Sequence, residues 1–400
     1  MSGPLAGVRI VELTSVVLGP WACQILGDLG AEIVKVESPQ GDSNRQLGPA
    51  RNPGMAALYL TCNRNKRSLV LDLKQPAGRQ ALLRLAAEAD VMVHNFRPQA
   101  MSRLRLAYDD VIAVNPEIIY CATYGYSAAG PYGDKAAYDD SIQAAAGVAA
   151  LQQMVEGEPR YLPTVVSDKT TALAVVYAVM AALFHRERTG VGQSIEVPMF
   201  ENTVSFVMAE HLYGQVFEPA EGAAGYTRLM SAHRRPYKTV DGYIAVLPYM
   251  NSHWREFCEL AGRPELLADE RFANLASRLH NIDATYDEVA KTMAGKTTAE
   301  WLEILADSSV PTMVVNSLED LIDDPHLQAT GFWQQLEHPT EGTLRMPGIP
   351  VSFSKTPGAI RRHPPRHGEH SAEVLRELGF SDREIAAMEE SGATSGADSP

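Results

Sequence analysis

The stretch Val8-Arg-Ile-Val-Glu-Leu13, followed by Gly19-Pro20 and then by Glu32-Ile-Val-Lys-Val-Glu37, decides the fold of this chain. The outer two segments are short apolar runs bounded by turn residues, which predicts two buried strands. Gly19-Pro20 opens a helix, because proline is favoured in the first helical turn, and the glycines at 27–30 end it. A strand, a helix and a strand in this order predict a β-α-β unit with parallel strands.

The same alternation continues through the first half of the chain. Further strands are predicted at 68–73, 90–94, 118–124 and 193–197, with a helix beginning at Pro76. Strands that alternate with helices predict an α/β fold, here a large Rossmann-like domain whose parallel sheet is covered on both faces.

The pattern changes near residue 217. Residues 218–225 are rich in Glu, Ala and Gly, which predicts a linker, and Asp241-Gly242 joins two short strands in a predicted hairpin. We therefore predict that 1–217 form the N-terminal part of the large domain and that 218–330 form a linker and a smaller α+β domain. Residues 331–390 are predicted to return and complete the large domain, and the small, polar stretch 391–400 is predicted to be a disordered tail.

The composition limits the possible partners and compartments. The 400 residues carry a formal net charge of −14, which argues against general affinity for nucleic acid or for an anionic membrane surface. The cysteines are far apart and include no C-x-x-C pair, so we expect no disulfide framework or zinc site and favour a reducing cytoplasm. Arg9 and Glu12 interrupt the first apolar run, which argues against a signal peptide. The apolar segment 172–184 is too short to span a bilayer.

The sequence lacks the motifs of several common binding and catalytic sites. The turn Leu13-Thr-Ser-Val-Val-Leu-Gly-Pro-Trp21 holds one glycine where a dinucleotide fingerprint needs three, so nicotinamide or flavin binding is disfavoured. No P-loop, H-E-x-x-H or G-x-S-x-G motif is present in the sequence. His363, His367 and His370 lie close together in the sequence, but no carboxylate or cysteine stands at a spacing typical of metal ligands. We therefore interpret them as loop residues rather than a metal site.

Basic and amide side chains follow the predicted strands. Lys74, Asn95 and Arg97 stand at strand ends, Arg103 follows about one helical turn later, and Asn63-Arg-Asn-Lys-Arg67 precedes a strand. In an open α/β sheet, ligands bind outside the carboxyl ends of the strands. These residues suit a phosphate-bearing ligand, although ordinary surface charge explains them as well.

The pattern of segment 165–184 predicts a long apolar helix with one carboxylate, Asp168, near its start. Asp is favoured at helix starts because its oxygens accept unpaired backbone N–H groups, so capping alone can account for it. The same position, at the positive end of the helix dipole, would favour an ionised carboxylate.

Together these features resemble the family III CoA-transferases of the CaiB/BaiF type, whose relatives include the α-methylacyl-CoA racemases. The matching segments run in the family's order along nearly the whole chain: 5–13, Gly19-Pro20, 29–37, 63–68, 71–74, Asn95-Phe-Arg-Pro98, Gly190-Val-Gly-Gln193 and Pro365-Arg-His-Gly-Glu-His370.

The resemblance implies an interlocked homodimer in which CoA lies across the large domain. It implies that Asp168 is the nucleophile and forms aspartyl anhydride and aspartyl-CoA thioester intermediates. Acyl-CoA and a free carboxylic acid would be the substrates, with no tightly bound cofactor and no metal. By the same resemblance, the CoA contacts are expected to be Val16, Val17, Leu18, Leu71, Asp72, Leu73, Lys74, Asn95, Phe96, Arg97, Arg103, Leu104, Lys135 and Met199.

Two positions bear on the type of reaction. Tyr138 stands where the racemase branch carries a histidine base, and a phenol with an ordinary pKa near 10 is a poor base at neutral pH, which favours transfer over racemisation. The region 225–235 has one glycine where oxalate-type members carry a mobile glycine-rich loop. Four residues could instead contact a carboxylic acceptor such as a dicarboxylic acid: Tyr138, Arg228, His233 and Arg234. A 2-methylacyl-CoA racemase or epimerase and a non-catalytic acyl-CoA binding protein remain as alternatives.

Overall fold

The computed structural model describes residues 3–397 and is built on a six-stranded, fully parallel sheet. Its strand order is β3-β2-β1-β4-β5-β6, so the chain first builds the sheet in one direction and then returns to build it in the other. The strands are β1 Arg9–Leu13, β2 Glu32–Glu37, β3 Lys66–Val70, β4 Val91–His94, β5 Ile119–Ala122 and β6 Ser194–Glu196.

The sheet is buried on both faces because the strands are apolar on both. Val11 and Leu13 belong to one core cluster, whereas Ile10 and Ile33 belong to the cluster on the opposite face. Alternate residues of a strand point to opposite faces, so a continuous apolar run supplies both cores. The α/β prediction with a parallel, doubly covered sheet is confirmed.

Helices connect the strands of the large sheet and make up much of the remaining structure. In chain order they are α1 Leu18–Asp28, α2 Ala57–Cys62, α3 Pro76–Ala87, α4 Pro98–Leu104, α5 Tyr108–Ile112, α6 Asp139–Ala145, α7 Val148–Glu156, α8 Val166–Thr189, α9 Met199–His211, α10 Asn251–Leu260, α11 Leu275–His280, α12 Ile282–Met293, α13 Thr298–Ile304, α14 Asp320–Asp323, α15 Pro325–Ala329, α16 Ser371–Glu377 and α17 Asp382–Glu390.

Helix α8 is longer than its apolar segment predicted. At 24 residues it is long and apolar enough to cross a membrane by length and composition alone. However, Ala172, Val175 and Val179 pack in the same core cluster as Ala22 and Leu26 of α1. A buried face of this kind is typical of the core helix of a globular protein.

The chain divides into two compact units. One contains the described parts of 1–147, 162–206 and 328–400, and the other contains 148–161 and 207–327. The second unit therefore begins earlier than the linker predicted at 218 and includes α7.

The second unit has its own small sheet and core. Strands β7 Tyr237–Lys238 and β8 Tyr243–Val246 pair antiparallel across the turn that contains Asp241-Gly242, and β9 Thr312–Val314 adds to β8. Trp254, Phe257 and Trp301 are buried in its core. Helices α11 and α12 are separate, because Asn281 between them leaves the helical conformation at ψ 43°.

The return segment completes the first unit. It contains the hairpin of β10 Trp333–His338 and β11 Gly342–Pro347. Beyond the hairpin, Asn65 Oδ1 accepts from the backbone of Arg361 and Arg362, and Ser68 Oγ accepts from Gly368 N at 2.9 Å. These contacts fix the return segment against β3 and its preceding loop.

The stretch 391–400, predicted to be a disordered tail, is ordered at its start. Ala393 and Thr394 are buried, Ala393 O accepts from Asp72 N at 2.9 Å, and Thr394 Oγ1 donates to Val70 O at 2.6 Å. Small residues allow the chain to pack closely along the end of β3. Residues 398–400 lie outside the described residues.

Candidate active site

The turn between β1 and α1 lies where the strand order reverses. Asn95, directly after β4, donates from Nδ2 to Ser15 O at 3.0 Å and accepts from Ser15 N at 3.3 Å. These two bonds join the ends of neighbouring strands from which the chain proceeds in opposite directions. In doubly wound sheets, a ligand crevice forms at this point.

Val16 adopts a left-handed conformation in this turn, with φ 72°. A β-branched residue rarely does so, and such strain persists only where the surroundings enforce it. Here Asp42 Oδ1 accepts from Val16 N at 3.2 Å, and Asn44 Nδ2 donates to Val16 O. Both backbone polar groups of Val16 are therefore held by side chains of the segment after β2.

Asp42 belongs to a network of buried ion pairs. Lys35 Nζ lies 3.0 Å from Asp42 Oδ2 and 3.2 Å from Glu12 Oε1, and it donates to Thr14 O at 2.8 Å. Lys66 Nζ lies 2.8 Å from Glu12 Oε2. Burial alone would lower the pKa of Lys35, but Glu12 and Asp42 outweigh it and raise the pKa. Lys35 therefore stays charged, and the sequence analysis missed this network even though Glu12 and Lys35 stand within apolar strands.

The basic run 63–67 does not form a phosphate site. Arg64 pairs with Asp28 at 2.7 Å, Lys66 pairs with Glu12, and Arg67 contacts Glu373 and Glu377. These cations neutralise acids of the first unit, and the interpretation of this run as a phosphate site is wrong.

Several of the predicted CoA contacts come directly after parallel strands and therefore lie at the carboxyl edge of the sheet. Asp72 and Lys74 follow β3, and Lys74 is exposed. Phe96 and Arg97 follow β4; both are exposed, and Arg97 Nη1 donates to Asp134 O at 3.1 Å. Lys135 lies 3.9 Å above the Tyr132 ring. Partly or largely exposed side chains are Val16, Asp72, Leu73, Lys74, Asn95, Phe96, Arg97, Arg103, Leu104 and Lys135.

Four of the predicted apolar contacts are buried in the protein interior: Val17, Leu18, Leu71 and Met199. Leu18 and Met199 belong to one core cluster and Leu71 to the other. Their side chains stabilise the sheet, so the groups they can offer a ligand are backbone groups.

Asp168 lies in the first turn of α8 and is only 8% exposed. Its own N–H donates to Asp139 Oδ1 at 2.9 Å. Asp139 Oδ2 in turn accepts from Gln143 Nε2 at 2.5 Å, and Gln143 also binds Leu162 N and Thr164 O. Asp139 and Gln143, four residues apart on α6, thus anchor the approach to α8, and the sequence analysis missed both.

The environment of Asp168 opposes ionisation. Burial, followed by the negative charge of Asp139, raises the pKa of Asp168 to about 7. The expectation that the helix start favours the anion is therefore outweighed by desolvation and by a neighbouring carboxylate. The result is a carboxyl group that changes protonation near neutral pH, as catalytic carboxyls often do.

The predicted acceptor residues differ in their surroundings. Tyr138 is 72% exposed and precedes α6. Arg228 and Arg234 line one cavity of the second unit. His233 Nδ1 lies 2.6 Å from Asp287, so this histidine already has an acidic partner.

Within residues 3–397, the structure has no group of three or more His, Cys, Asp or Glu placed to hold a metal ion. The four cysteines are free and buried.

The chain is similar to known proteins over most of its length. Residues 5–371 match CoA-transferase family III. Human succinyl-CoA:glutarate CoA-transferase is 33% identical over 390 residues, which cover 96% of this chain and 88% of the human one. Succinate–glutarate CoA-transferase of Agrobacterium fabrum is 34% identical over 400 residues, covering 95% and 97%.

A solved structure has the same fold. The crystal structure of a CaiB/BaiF family protein from Brucella suis superposes with a TM-score of 0.80 at 31% identity, covering 94% of this chain and all of that one. These matches show that the chain belongs to CoA-transferase family III.

Proposed function

We propose that this protein transfers CoA from an acyl-CoA donor to a dicarboxylic acid, with Asp168 as the nucleophile. The observation that carries the proposal is the buried carboxyl of Asp168, whose pKa of about 7 leaves a reactive anion available near neutral pH. Relatives at 33–34% identity are named for transfer between succinyl-CoA and glutarate, which supports a dicarboxylic acceptor.

In the first half of the reaction, an Asp168 oxygen attacks the donor thioester carbonyl. The C–S bond breaks, CoA leaves as thiolate, and a mixed anhydride remains. The thiolate then attacks the Asp168 carbonyl carbon, which releases the donor acid and leaves an aspartyl-CoA thioester. Covalent catalysis thereby divides one difficult exchange into easier steps.

The second half reverses these bond changes with the acceptor. A carboxylate oxygen of the acceptor attacks the aspartyl thioester and expels CoA thiolate, which forms a second anhydride. The thiolate attacks the acceptor's acyl carbon, so the new acyl-CoA leaves and Asp168 regains its carboxylate. No proton needs to be removed from carbon.

CoA is proposed to lie along the carboxyl edge of the six-stranded sheet, across the turn held by Asn95 and Asp42. Exposed Lys74, Arg97, Arg103 and Lys135 supply positive charge there. Such groups suit phosphates on a protein whose net charge is −14.

A second copy of the chain is proposed to cover one face of α8, as in the interlocked homodimer implied by the family. Leu173, Tyr177, Met180 and Phe184 recur at helical spacing and are 37–64% exposed. A row of large apolar side chains on one helix face marks an interaction surface. We also propose a cytoplasmic location, which suits four unpaired cysteines.

The test is acyl exchange between succinyl-CoA and glutarate. Asp168→Ala should reduce the rate by about a thousandfold or more, because the covalent route is lost. Asp140→Ala, which removes an exposed aspartate near the start of α6, is the matched control and should retain activity. Undiminished exchange in Asp168→Ala would overturn the proposal.

The racemase alternative has a distinct readout. Deuterium from solvent entering the α-carbon of a 2-methylacyl-CoA, without acyl exchange, would replace transfer by racemisation. Tight acyl-CoA binding without any exchange would instead indicate a binding protein.

A further inference from the structure

The second unit contains a cavity of about 520 Å³ that is lined by both basic and apolar residues. Arg228, Arg234 and Arg235 line it together with apolar residues that include Val246 and Met313. This volume lies within the range of about 300–1,000 Å³ typical of small-molecule pockets.

The positive charge of the three arginines is not neutralised by neighbouring acids. Among the residues that the structure describes, no carboxylate lies within ion-pair distance of Arg228, Arg234 or Arg235, although the chain has 49 acidic residues to 35 basic ones. Two acids of α12 are engaged elsewhere: Asp287 pairs with His233 at 2.6 Å, and Asp283 accepts from Ser231 Oγ at 2.5 Å.

A buried tyrosine, Tyr286, is among the residues that line the same cavity. Tyr286 is 6% exposed, and its hydroxyl has no hydrogen-bond partner among the described residues. A buried polar group without a partner costs free energy, so its persistence points to a ligand that completes it. A phenol can donate to a carboxylate oxygen.

We propose that this cavity binds a small dicarboxylate, with the arginines and the Tyr286 hydroxyl as donors. Arg guanidinium groups match carboxylates in planar, two-point contacts, and more than one arginine suits a ligand with two negative ends. The apolar lining residues, such as Val246 and Met313, suit the methylene chain between the two carboxylates. Compared with the acceptor contacts predicted from the sequence, the proposed site includes Arg235 and Tyr286 and does not include His233.

The role of the bound dicarboxylate, as a substrate or as an effector, rests on the proposed function. If the protein exchanges CoA onto a dicarboxylic acid, the ligand is that acceptor; otherwise it is a dicarboxylate effector. Two measurements separate these cases: glutarate binding by calorimetry on the full-length protein, and the acceptor KM in the exchange assay.

Binding is the primary test. Wild-type protein should bind glutarate more tightly than butyrate or inorganic phosphate. Arg228→Met and Arg234→Met should each raise the Kd for glutarate about tenfold, the effect of losing a charge-assisted hydrogen bond. Arg228→Lys should recover only part of the affinity, because lysine lacks the planar fork.

Tyr286→Phe gives a readout that a purely structural role would not produce. It removes a hydroxyl that bonds to none of the described residues, so the Tm should not fall, whereas glutarate affinity should fall severalfold. Arg255→Met removes an exposed arginine of the same unit that does not line the cavity, and it should leave binding unchanged.

The outcomes are separable. Unchanged glutarate binding in Arg228→Met, Arg234→Met and Tyr286→Phe, or no binding by the wild type, would overturn the cavity proposal even if CoA exchange is observed. Lost binding together with a raised glutarate KM supports the site as the acceptor site. Lost binding in a protein that shows no exchange supports the site as an effector site and removes the proposed transferase function instead.

Discussion

Asp168 combines two requirements that conflict. Its burial and the nearby Asp139 raise its pKa to about 7, which opposes the charged form. Transfer needs that charged form as the attacking group. A buried, reactive carboxylate is also less solvated, and a poorly solvated anion is a stronger nucleophile. In the proposed mechanism, the charge on Asp168 is therefore costly at the position where it acts.

The pH dependence of the reaction follows from this carboxyl. Below its pKa, Asp168 carries a proton and cannot attack, so kcat/KM for succinyl-CoA should rise with pH and level off above a midpoint near 7. Asp139→Asn removes the neighbouring negative charge and should move the midpoint to lower pH. A flat profile between pH 5 and 8 in the wild type would contradict this assignment.

The same carboxyl should reduce stability as the pH rises. An unfolded Asp has a pKa of about 3.9, so between about pH 4 and 7 the folded protein holds a proton that the unfolded chain has lost. The free energy of unfolding should therefore fall through this window, by about 1.4 kcal/mol per pH unit at most.

Asp168→Asn removes the titrating carboxyl and therefore this decrease in the free energy of unfolding with pH. The variant is the reference against which the wild type is compared. The variant should match the wild type near pH 4 and be more stable by a few kcal/mol at pH 8, because a strongly shifted pKa links protonation to folding with an effect of that order. Denaturant unfolding at both pH values measures it. A variant less stable than the wild type at pH 8 would show that the charge is not a net cost.

At the scale of elements, the turn between β1 and α1 is held from three directions. Asn95 fixes Ser15, Asp42 fixes Val16, and Lys35 connects Asp42 to Glu12 on β1. The strained residue Val16 is thereby held in one conformation by hydrogen bonds to neighbouring segments. Such preorganisation reduces the entropy lost when a ligand binds.

Lys35→Met tests this support. It leaves the carboxylates of Glu12 and Asp42 buried without their shared cation, which should cost about 3–5 kcal/mol of stability. In the protein that still folds, KM for acyl-CoA should rise more than kcat falls. Arg376→Met, which breaks an exposed pair with Asp382, should cost about 1 kcal/mol or less.

The pattern of apolar runs predicts the six parallel strands but not the polar contacts between elements. Strands β1 to β6, the helix at Pro76 and the hairpin at Asp241-Gly242 follow from local periodicity and turn residues, which act over a few positions. The partners of Glu12 and Asp139 depend on which strands and helices lie side by side. That information arises only when the chain is folded, so the buried network and the anchor of Asp168 could not be predicted.

At the scale of the whole molecule, the first unit is assembled from separate parts of the chain. Its C-terminal segment docks on β3 through Ser68 and through Thr394, which binds Val70 O. Sequence patterns predict a returning segment that is ordered only to residue 390, whereas Ala393 and Thr394 are buried. The prediction ends too early because small polar residues such as those at 391–397 resemble disordered tails. Burial of Ala393 shows that the same residues can also fill a tight space.

The exposed face of α8 predicts the assembly state. Tyr177→Glu and Phe184→Arg place charges on the apolar row and should shift a dimer to monomer in light scattering, with a loss of exchange activity. Leu318→Glu, at another exposed apolar position, should leave the assembly unchanged. A wild-type protein that is monomeric at micromolar concentration would contradict the proposed dimer.

The most direct test of the central claim follows an oxygen atom. With glutarate labelled by ¹⁸O in both carboxyl groups, collapse of the second anhydride should leave one labelled oxygen on Asp168. In the next donor half-reaction, the Asp168 oxygen that attacks the thioester leaves with the released succinate, so succinate should carry the label whenever the labelled oxygen attacks. Mass spectrometry of the quenched protein should locate the label in the peptide that contains Asp168. Active exchange with no label in that peptide, and none in succinate, would contradict covalent catalysis by Asp168.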